Sequence, residues 1–221
     1  MNNFTKIYCD FDGTISKKDT LCTFFDKYAD KKWLEVEDLW QRQEISSKEC
    51  LERQVALVKH MNEDELNEYI NSIEIDDSFI EFYNYLKSKD IELIILSDGF
   101  ELFIAKTLEK YSLLDVKYFA NTLKYENGSF SVDFLNHSEN CKVKAGSCKC
   151  EKVKEQEYCY IGDGLSDACV AKNATILFAK GNLRKFCEKM DLKYNSFNSF
   201  LDIIDYCRRG ETDATAYSIN Y

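Results

Sequence analysis

Residues 4–14 read Phe-Thr-Lys-Ile-Tyr-Cys-Asp-Phe-Asp-Gly-Thr, a short apolar run that ends in acidic residues and a glycine. Three later runs, 91–96, 158–161 and 175–178, are equally short and rich in isoleucine and aromatic residues. Segments with helical periodicity separate them. This pattern predicts strands buried on both faces of a parallel sheet, joined by right-handed crossover helices. The chain is therefore expected to have an α/β fold.

The chain between the first two predicted strands is longer than one crossover helix requires. Within it, Ser46 and Glu49, and then Asn62 and Glu65, have the spacing of N-cap and N3 partners, so the segment is predicted to be helical. We expect a helical cap over residues 16–74 and a catalytic core made of residues 1–15 and 75–221.

A second interruption of the α/β pattern lies at residues 121–134. Two stretches that alternate polar and apolar residues flank Asn127-Gly128 there. Asn-Gly between alternating stretches is the strongest short-range signal for a β-hairpin, so a hairpin is predicted at this position.

Composition limits the kinds of partner. The 221 residues are 45% hydrophobic and carry a formal net charge of -10, which suits one globular domain and disfavours binding to nucleic acid or an anionic membrane. No leader-like start and no long apolar run is present, so a cytoplasmic location is expected.

The ten cysteines have no regular spacing and are interpreted as free, mostly buried thiols. The oligomeric state is not predicted.

Acidic residues and glycines follow several of the predicted strands. Asp10 and Asp12 follow the first strand, Ser97-Asp98-Gly99 follows the second, and Gly162-Asp163-Gly164 follows a later one, with Asp167 one helical turn beyond. Ligands of a parallel sheet bind beyond the carboxyl ends of the strands, so these groups are expected to meet at one edge. Clustered carboxylates repel one another unless a cation neutralises them, and an all-oxygen set favours Mg²⁺ over zinc.

A carboxylate held by a metal is a competent nucleophile toward phosphorus, so Asp10 is predicted to form an aspartyl phosphate. Asp12 can protonate the leaving oxygen and then deprotonate the attacking water. Ser97 and the nearby backbone N–H groups of Asp98 and Gly99 are expected to hold phosphoryl oxygens. A lysine should supply fixed positive charge. Lys149 is the candidate, in a stretch that also contains Lys142, Lys144, Lys152 and Lys154.

Together these motifs resemble those of the haloacid dehalogenase superfamily over nearly the whole chain. The resemblance implies a Rossmann-like, three-layer α/β/α core with a mainly parallel sheet and a small helical cap inserted after the first strand. It also implies that Asp10 is the nucleophile, that Asp10, Asp12 and Asp163 bind Mg²⁺, and that Asp167 supports the metal site. An aspartate at the position of Asp12 is typical of the superfamily's phosphatases rather than its dehalogenases.

The position of the cap resembles the phosphoserine phosphatase-like branch. Within that branch, Asp19, the hairpin near Asn121 and residues 146–150 are similar to the methionine-salvage phosphatases that act on 2-hydroxy-3-keto-5-methylthiopentenyl-1-phosphate. In that group a proline follows the lysine motif, whereas this chain has no proline. Asp19 and Arg53 are candidates for contact with the leaving group, although a surface salt bridge would equally explain Arg53.

Other interpretations remain open at this stage. A phosphoserine-type or phosphocholine-type phosphatase would use the same residues, as would a phosphotransferase. A non-catalytic phosphate-binding regulator is disfavoured by Asp12, which such a protein does not need. Cys141, Cys148, Cys150 and His137 could suggest zinc, but Cys-x-Cys without a second pair is poor tetrahedral spacing. Trp33 and Trp40, at helical spacing, are interpreted as packing residues.

Overall fold

The computed structural model describes residues 4–141 and 144–218, with side chains as far as Arg209. Within these residues the strands are β1 (Lys6–Cys9), β2 (Glu92–Phe100), β3 (Lys117–Glu126), β4 (Ser129–Asp133), β5 (Cys159–Gly162), β6 (Ile176–Ala179) and β7 (Asn195–Ser196). The helices are α1 (Thr20–Tyr28), α2 (Trp33–Gln41), α3 (Ser47–Ala56), α4 (Glu63–Asn71), α5 (Phe79–Ser88), α6 (Glu101–Lys110), α7 (Lys149–Lys152), α8 (Ala168–Ala171), α9 (Gly181–Lys189) and α10 (Phe200–Ser218).

One sheet contains these strands in the order β4-β3-β2-β1-β5-β6-β7, so that β1 lies at its centre. All neighbouring pairs are parallel except β3 and β4, which form an antiparallel hairpin at the edge. The predicted α/β fold with a mainly parallel sheet is confirmed. The hairpin turns at Asn127 and Gly128, which both have positive φ, as a tight two-residue turn requires.

Helices cover both faces of the sheet. Along β1, Ile7 packs with α5 and α10 on one face, where Phe82 belongs to the same cluster. Tyr8 packs with α8 and α9 on the other face, where it shares a cluster with Leu183. Because successive strand residues point to opposite faces, both faces of a central strand must be apolar, as they are here. The three layers are thus helix, sheet and helix.

Helices α1 to α4 all lie between β1 and α5, in the segment where the sequence predicts a cap. The chain leaves and rejoins the core side by side, since Ser16 and Ile75 form an antiparallel bridge. An apolar cluster, to which Phe24 and Trp33 belong, joins the four helices to Phe100 and Phe103 of the core. The domain boundaries themselves stay a prediction.

The composition led to expectations about the cysteines and about membrane-spanning segments. All ten cysteines lie within the described residues, and each is free. In the part of the chain that the structure describes, none of the helices combines the length and apolar composition needed to cross a membrane.

Candidate active site

Asp10 and Lys149 form a buried ion pair at the carboxyl end of β1. The backbone N–H of Asp10 continues the parallel ladder by donating to the carbonyl of Ile161, at 2.9 Å, which fixes the residue at the strand end. The Lys149 Nζ lies 2.6 Å from Asp10 Oδ1 and 2.5 Å from Asp167 Oδ1. The Asp10 and Lys149 residues are 4% and 5% exposed. Buried charges persist only when they are paired and hydrogen-bonded, and these three meet that condition.

Burial alone would lower the pKa of the Lys149 ammonium, but Asp10 and Asp167 outweigh that effect and raise it above its ordinary value. Burial, and then repulsion from Asp167, raises the pKa of Asp10 well above the usual range, although Lys149 opposes the shift. The site therefore carries more negative charge than its lysine neutralises. A further cation would relieve this excess.

Three carboxylates approach closely enough to share such a cation. One oxygen from each of Asp10, Asp163 and Asp167 lies within 4.8 Å of the others, and this is the single such group of potential metal ligands among the described residues. Asp163 is oriented by Thr14, whose hydroxyl donates to Asp163 Oδ1 at 2.9 Å. An all-carboxylate set suits a hard divalent ion. The residues present thus fit the metal that the sequence leads us to expect.

Asp167 also organises the loop that follows β5. Its Oδ2 accepts the backbone N–H groups of Asp163 and Gly164, each at 3.0 Å. Its Oδ1 accepts the hydroxyl of Tyr160, at 2.6 Å, in addition to the Lys149 ammonium. A fully buried carboxylate with four donors is held rigidly, so Asp167 fixes the positions of both Asp163 and Lys149. Tyr160 is not identified from the sequence, where it belongs to an apolar strand.

Asp12 faces a different set of partners. Ser97 Oγ donates to Asp12 Oδ2 at 2.8 Å, and the backbone N–H of Thr20 donates to Asp12 Oδ1 at 3.2 Å, where the Thr20 hydroxyl also bonds. Burial, and then the negative charge of Asp19, raises the pKa of Asp12 to about 6. A pKa near neutrality is what a group that both donates and accepts a proton requires. Side-chain ligation of a metal by Asp12 stays a prediction.

Ser97 and Gly99 lie beside Asp12, where sequence reasoning expects phosphate to bind. The Gly99 N–H donates to Ser97 Oγ at 2.8 Å. A side chain at Gly99 would place its Cβ 2.3 Å from Asp12 Oδ2, so the acid leaves no room for one. The Asp98 carboxylate is bonded elsewhere: it accepts from Ser147 N at 2.8 Å and from Asn121 Nδ2 at 3.1 Å.

Asp19 and Arg53, the two candidates for contact with the leaving group, differ in their position relative to the cavity. Asp19 caps α1 by accepting from Cys22 N and lines the cavity above Asp10. Arg53 is half-exposed and paired with Glu49 at 2.5 Å, and it is absent from the described residues that line that cavity. Of the lysines near Lys149, Lys142 lies outside the described residues, and the Lys152 Nζ lies over the ring of Phe119.

The zinc alternative gains no support. Cys141, Cys148 and Cys150 belong to one small buried cluster, yet they do not form a close group of potential metal ligands within residues 4–141 and 144–218. His137 Nδ1 is instead 2.9 Å from the carbonyl oxygen of Ala145.

A cavity of about 740 Å³ separates the carboxylates from the helical segment. Trp33 and Trp40 line it, and Trp33 also belongs to the apolar cluster that joins the helical segment to the core. Its other lining residues from the helical segment include Asp19, Leu21, Cys22, Phe25, Glu37, Ser47, Cys50, Leu51 and Gln54. A substrate entering here would contact Asp10 with one end and α1 to α3 with the other.

The site thus combines carboxylates and a buried lysine at the carboxyl edge of a sheet that helices cover on both faces. The model of the haloacid dehalogenase-like hydrolase family matches residues 7–172, which is more than half of the chain. The chain belongs to the haloacid dehalogenase-like hydrolase family.

Curated relatives cover nearly the whole chain. A protein of Geobacillus thermodenitrificans named 2-hydroxy-3-keto-5-methylthiopentenyl-1-phosphate phosphatase is 26% identical over 216 residues, or 94% of this chain and 97% of its own. A protein of the same name from Lysinibacillus sphaericus is 29% identical over 209 residues, or 90% and 91%.

Solved structures share the fold. A phosphoserine phosphatase described as a phospho-aspartyl intermediate analogue superposes with a TM-score of 0.69 at 20% identity, covering 92% of this chain and 98% of its own. A phosphoserine phosphohydrolase-like protein from Francisella tularensis gives a TM-score of 0.68 at 21% identity, covering 92% and 99%. These likenesses agree with the fold class that the sequence predicts.

The carboxylate cluster leads to a prediction for D163N. Burial, and then Asp167, raises the pKa of Asp163 to about 6 from its ordinary value of 3.8. A carboxyl group whose pKa is raised on folding favours the folded state less as pH rises, so metal-free protein should lose stability from about pH 4 to about pH 7. D163N should lessen that loss and melt higher than the parent chain at about pH 7.5 in EDTA.

Thermal melts at several pH values, with and without Mg²⁺, measure this effect. In D163N the stabilisation by Mg²⁺ should shrink, and the Mg²⁺ concentration for half-maximal activity should rise at least about tenfold. D26N, which removes an exposed carboxylate of α1, is the control and should leave both quantities unchanged. An unaltered Mg²⁺ titration in D163N would remove Asp163 from the metal site.

Proposed function

We propose that this protein is a Mg²⁺-dependent phosphatase that hydrolyses a small phosphorylated metabolite through an aspartyl phosphate on Asp10. The observation that carries the proposal is the arrangement of Asp10. Its Oδ1 is held by Lys149, its carboxylate belongs to the Asp10-Asp163-Asp167 group, and the cavity opens above it. Family membership and the phosphatase names of the curated relatives support the same reaction.

The proposed reaction has two chemical steps, which are phosphorylation of Asp10 and hydrolysis of the aspartyl phosphate. Asp10 attacks the phosphorus atom, the ester P–O bond breaks, and Asp12 gives its proton to the departing oxygen. Asp12, now ionised, takes a proton from the water that attacks the aspartyl phosphate, which releases inorganic phosphate and restores Asp10. Asp10, Asp12 and Asp163, with Asp167 in support, would hold Mg²⁺, whose charge would offset negative charge on the transferring group. Ser97 and the Gly99 N–H, which lie beside Asp12, are proposed to hold phosphoryl oxygens once substrate displaces their bonds to Asp12 Oδ2 and Ser97 Oγ.

We propose 2-hydroxy-3-keto-5-methylthiopentenyl-1-phosphate as the substrate and residues 16–74 as the cap that selects it. The curated relatives carry that substrate in their names. The cap side of the cavity includes the apolar side chains of Leu21, Phe25 and Leu51, which suit a thioether tail. No lysine or arginine of the cap is among the described lining residues, so the cap offers the carboxylate of phosphoserine no cation.

A cytoplasmic location stays a prediction.

A second candidate is a phosphatase for phosphocholine or a related cationic ester. Two tryptophans, Trp33 and Trp40, line the cap side of the cavity together with Asp19 and Glu37. Aromatic faces and carboxylates together are the chemistry that binds a quaternary ammonium group.

A substrate panel distinguishes these candidates. Hydrolysis of the methylthiopentenyl phosphate, phosphocholine, phosphoserine and p-nitrophenyl phosphate would be measured with Mg²⁺ and with EDTA. We expect Mg²⁺-dependent release of phosphate, with kcat/KM for the methylthiopentenyl ester at least tenfold above the others, because a well-fitted apolar tail contributes about 1.4 kcal/mol or more. A preference for phosphocholine would support the second candidate. No release from any ester would contradict the phosphatase proposal and favour a phosphotransferase.

A further inference from the structure

Asp98 is an acidic residue in the place where the proposed reaction needs an anion to bind. It lies between Ser97 and Gly99, at a register irregularity of β2, and it lines the cavity. A carboxylate repels a phosphoryl group, so its side chain is a poor phosphate ligand. Its presence therefore calls for another role.

The carboxylate is shared among three separate parts of the chain. Its Oδ1 accepts from the backbone N–H of Ser147, at 2.8 Å, and from the side-chain amide of Asn121 in β3, at 3.1 Å. Its Oδ2 accepts the hydroxyl of Ser47, the first residue of α3 in the proposed cap. One oxygen thus accepts hydrogen bonds from the core, and the other accepts a hydrogen bond from the cap.

Ser147 stands two residues before Lys149, in the loop that brings the lysine to Asp10. That loop is packed closely, because a Cβ at Gly146 would lie 2.8 Å from Asn121 Oδ1 and 2.5 Å from the ring of Phe134. Asn121 is itself fixed, since its amide also donates to the Asp98 carbonyl at 2.7 Å. The bond from Ser147 to Asp98 therefore helps set where the lysine loop begins.

The cap touches the same loop. Beside the contact of Ser47 with Asp98, the backbone N–H of Lys48 donates to the carbonyl of Lys144 at 3.3 Å. The N-terminal turn of α3 is thus bonded both to Asp98 and to the lysine loop. Movement of α3 would change the partners of the carboxylate that holds Ser147.

We propose that Asp98 is a positioning residue that couples the docking of cap helix α3 to the placement of Lys149. This inference rests on the phosphatase function proposed above. With α3 docked, Ser47, Ser147 and Asn121 satisfy the carboxylate and Lys149 is held on Asp10. When α3 moves away, Asp98 Oδ2 loses the Ser47 bond, and the carboxylate, still bonded to Ser147 and Asn121, holds the lysine loop less firmly.

Two substitutions test the coupling by kinetics. D98A removes all three bonds and should lower kcat about 10-fold to 100-fold. S47A removes only the cap bond and should lower kcat several-fold, but it should have no added effect in the D98A background, because the bond is already lost. D98N should recover most of the activity, since an amide oxygen can accept from Ser147 while the amide N–H group donates to Ser47. S72A, in the cap but remote from Asp98, is the control.

Tryptophan fluorescence measures how well the cap is docked, and this measurement does not depend on enzymatic activity. The chain has two tryptophans, and both belong to α2 and line the cavity. Quenching by acrylamide should increase in D98A and S47A, but not in D98N or S72A, while circular dichroism shows that all four variants stay folded.

The outcomes separate this inference from the proposed function. Parent-like kcat in D98A, or strictly additive effects of S47A and D98A, would overturn the coupling even if the enzyme is a phosphatase. Unchanged tryptophan quenching in folded D98A and S47A would also overturn it. If the parent chain hydrolyses no phosphate ester, the proposed function fails, whereas increased quenching in D98A and S47A would still support the cap contact at Asp98.

Discussion

The D10N variant is expected to lose turnover by roughly 10⁴-fold or more, since an amide oxygen cannot serve as the nucleophile and loss of a nucleophile removes the whole covalent pathway. The fold should survive the change. The amide oxygen can still accept from Lys149, which also keeps its bond to Asp167. Steady-state hydrolysis with saturating Mg²⁺, together with a thermal melt, measures both expectations.

D26N is the matched control for D10N. Asp26 is an exposed aspartate of α1 that pairs with Lys31, so its conversion to asparagine repeats the chemical change away from the site. It should leave kcat/KM within about twofold of the parent value, as surface substitutions usually do. Activity in D10N above a tenth of the parent value would overturn the assignment of Asp10 as nucleophile.

Replacing the buried lysine in K149M is expected to damage both activity and stability. The methionine fills similar space but leaves Asp10 and Asp167 facing each other without their common partner. Breaking a buried ion pair by removing one partner costs about 3–5 kcal/mol. Activity should fall roughly 10²-fold to 10³-fold, as when one donor that stabilises a transition state is lost.

Urea unfolding with EDTA and with Mg²⁺ measures the stability effect of K149M. Mg²⁺ should restore more stability to K149M than it adds to the parent chain, because the metal neutralises carboxylates that the lysine no longer pairs. K152M, which changes a neighbouring lysine that lies over Phe119, is the control and should behave like the parent chain. Parent-like stability of K149M in EDTA would contradict the central role of the ion pair.

Local patterns were sufficient to predict much of this molecule. Short apolar runs predicted β1, β2, β5 and β6, because each strand of a parallel sheet must be apolar on both faces. The predicted end of β2 was wrong, since the strand continues through a register irregularity to Phe100 and includes Ser97, Asp98 and Gly99. Asn127-Gly128 predicted the hairpin turn, because few other residues adopt positive φ readily. The strand ends predicted that Asp10, Asp163 and Asp167 would lie together, since the carboxyl ends of parallel strands share one edge. Asp12, which was predicted to bind the same metal, is bonded instead to Ser97 and Thr20.

The partners of those carboxylates depend on contacts between distant parts of the chain, which no local pattern reports. Thr20 bonds Asp12 from the first turn of α1, and Tyr160 bonds Asp167 from within an apolar strand. Arg53 pairs with Glu49 one turn away and is not among the described residues that line the cavity, so its contact with the substrate stays a prediction. The direction in which Asp98 points is likewise decided by Ser47 and Ser147, which are remote in sequence.

The central claim is that Asp10 carries the phosphoryl group, and trapping that intermediate tests it most directly. Enzyme would be mixed with substrate and Mg²⁺, quenched in acid within one turnover, digested and analysed by mass spectrometry. The account predicts that the mass of one phosphoryl group is added to the peptide that contains Asp10, and that fragmentation places it on that residue. A phosphoryl group on any other side chain, or complete turnover with no covalent intermediate at any time point, would contradict the account.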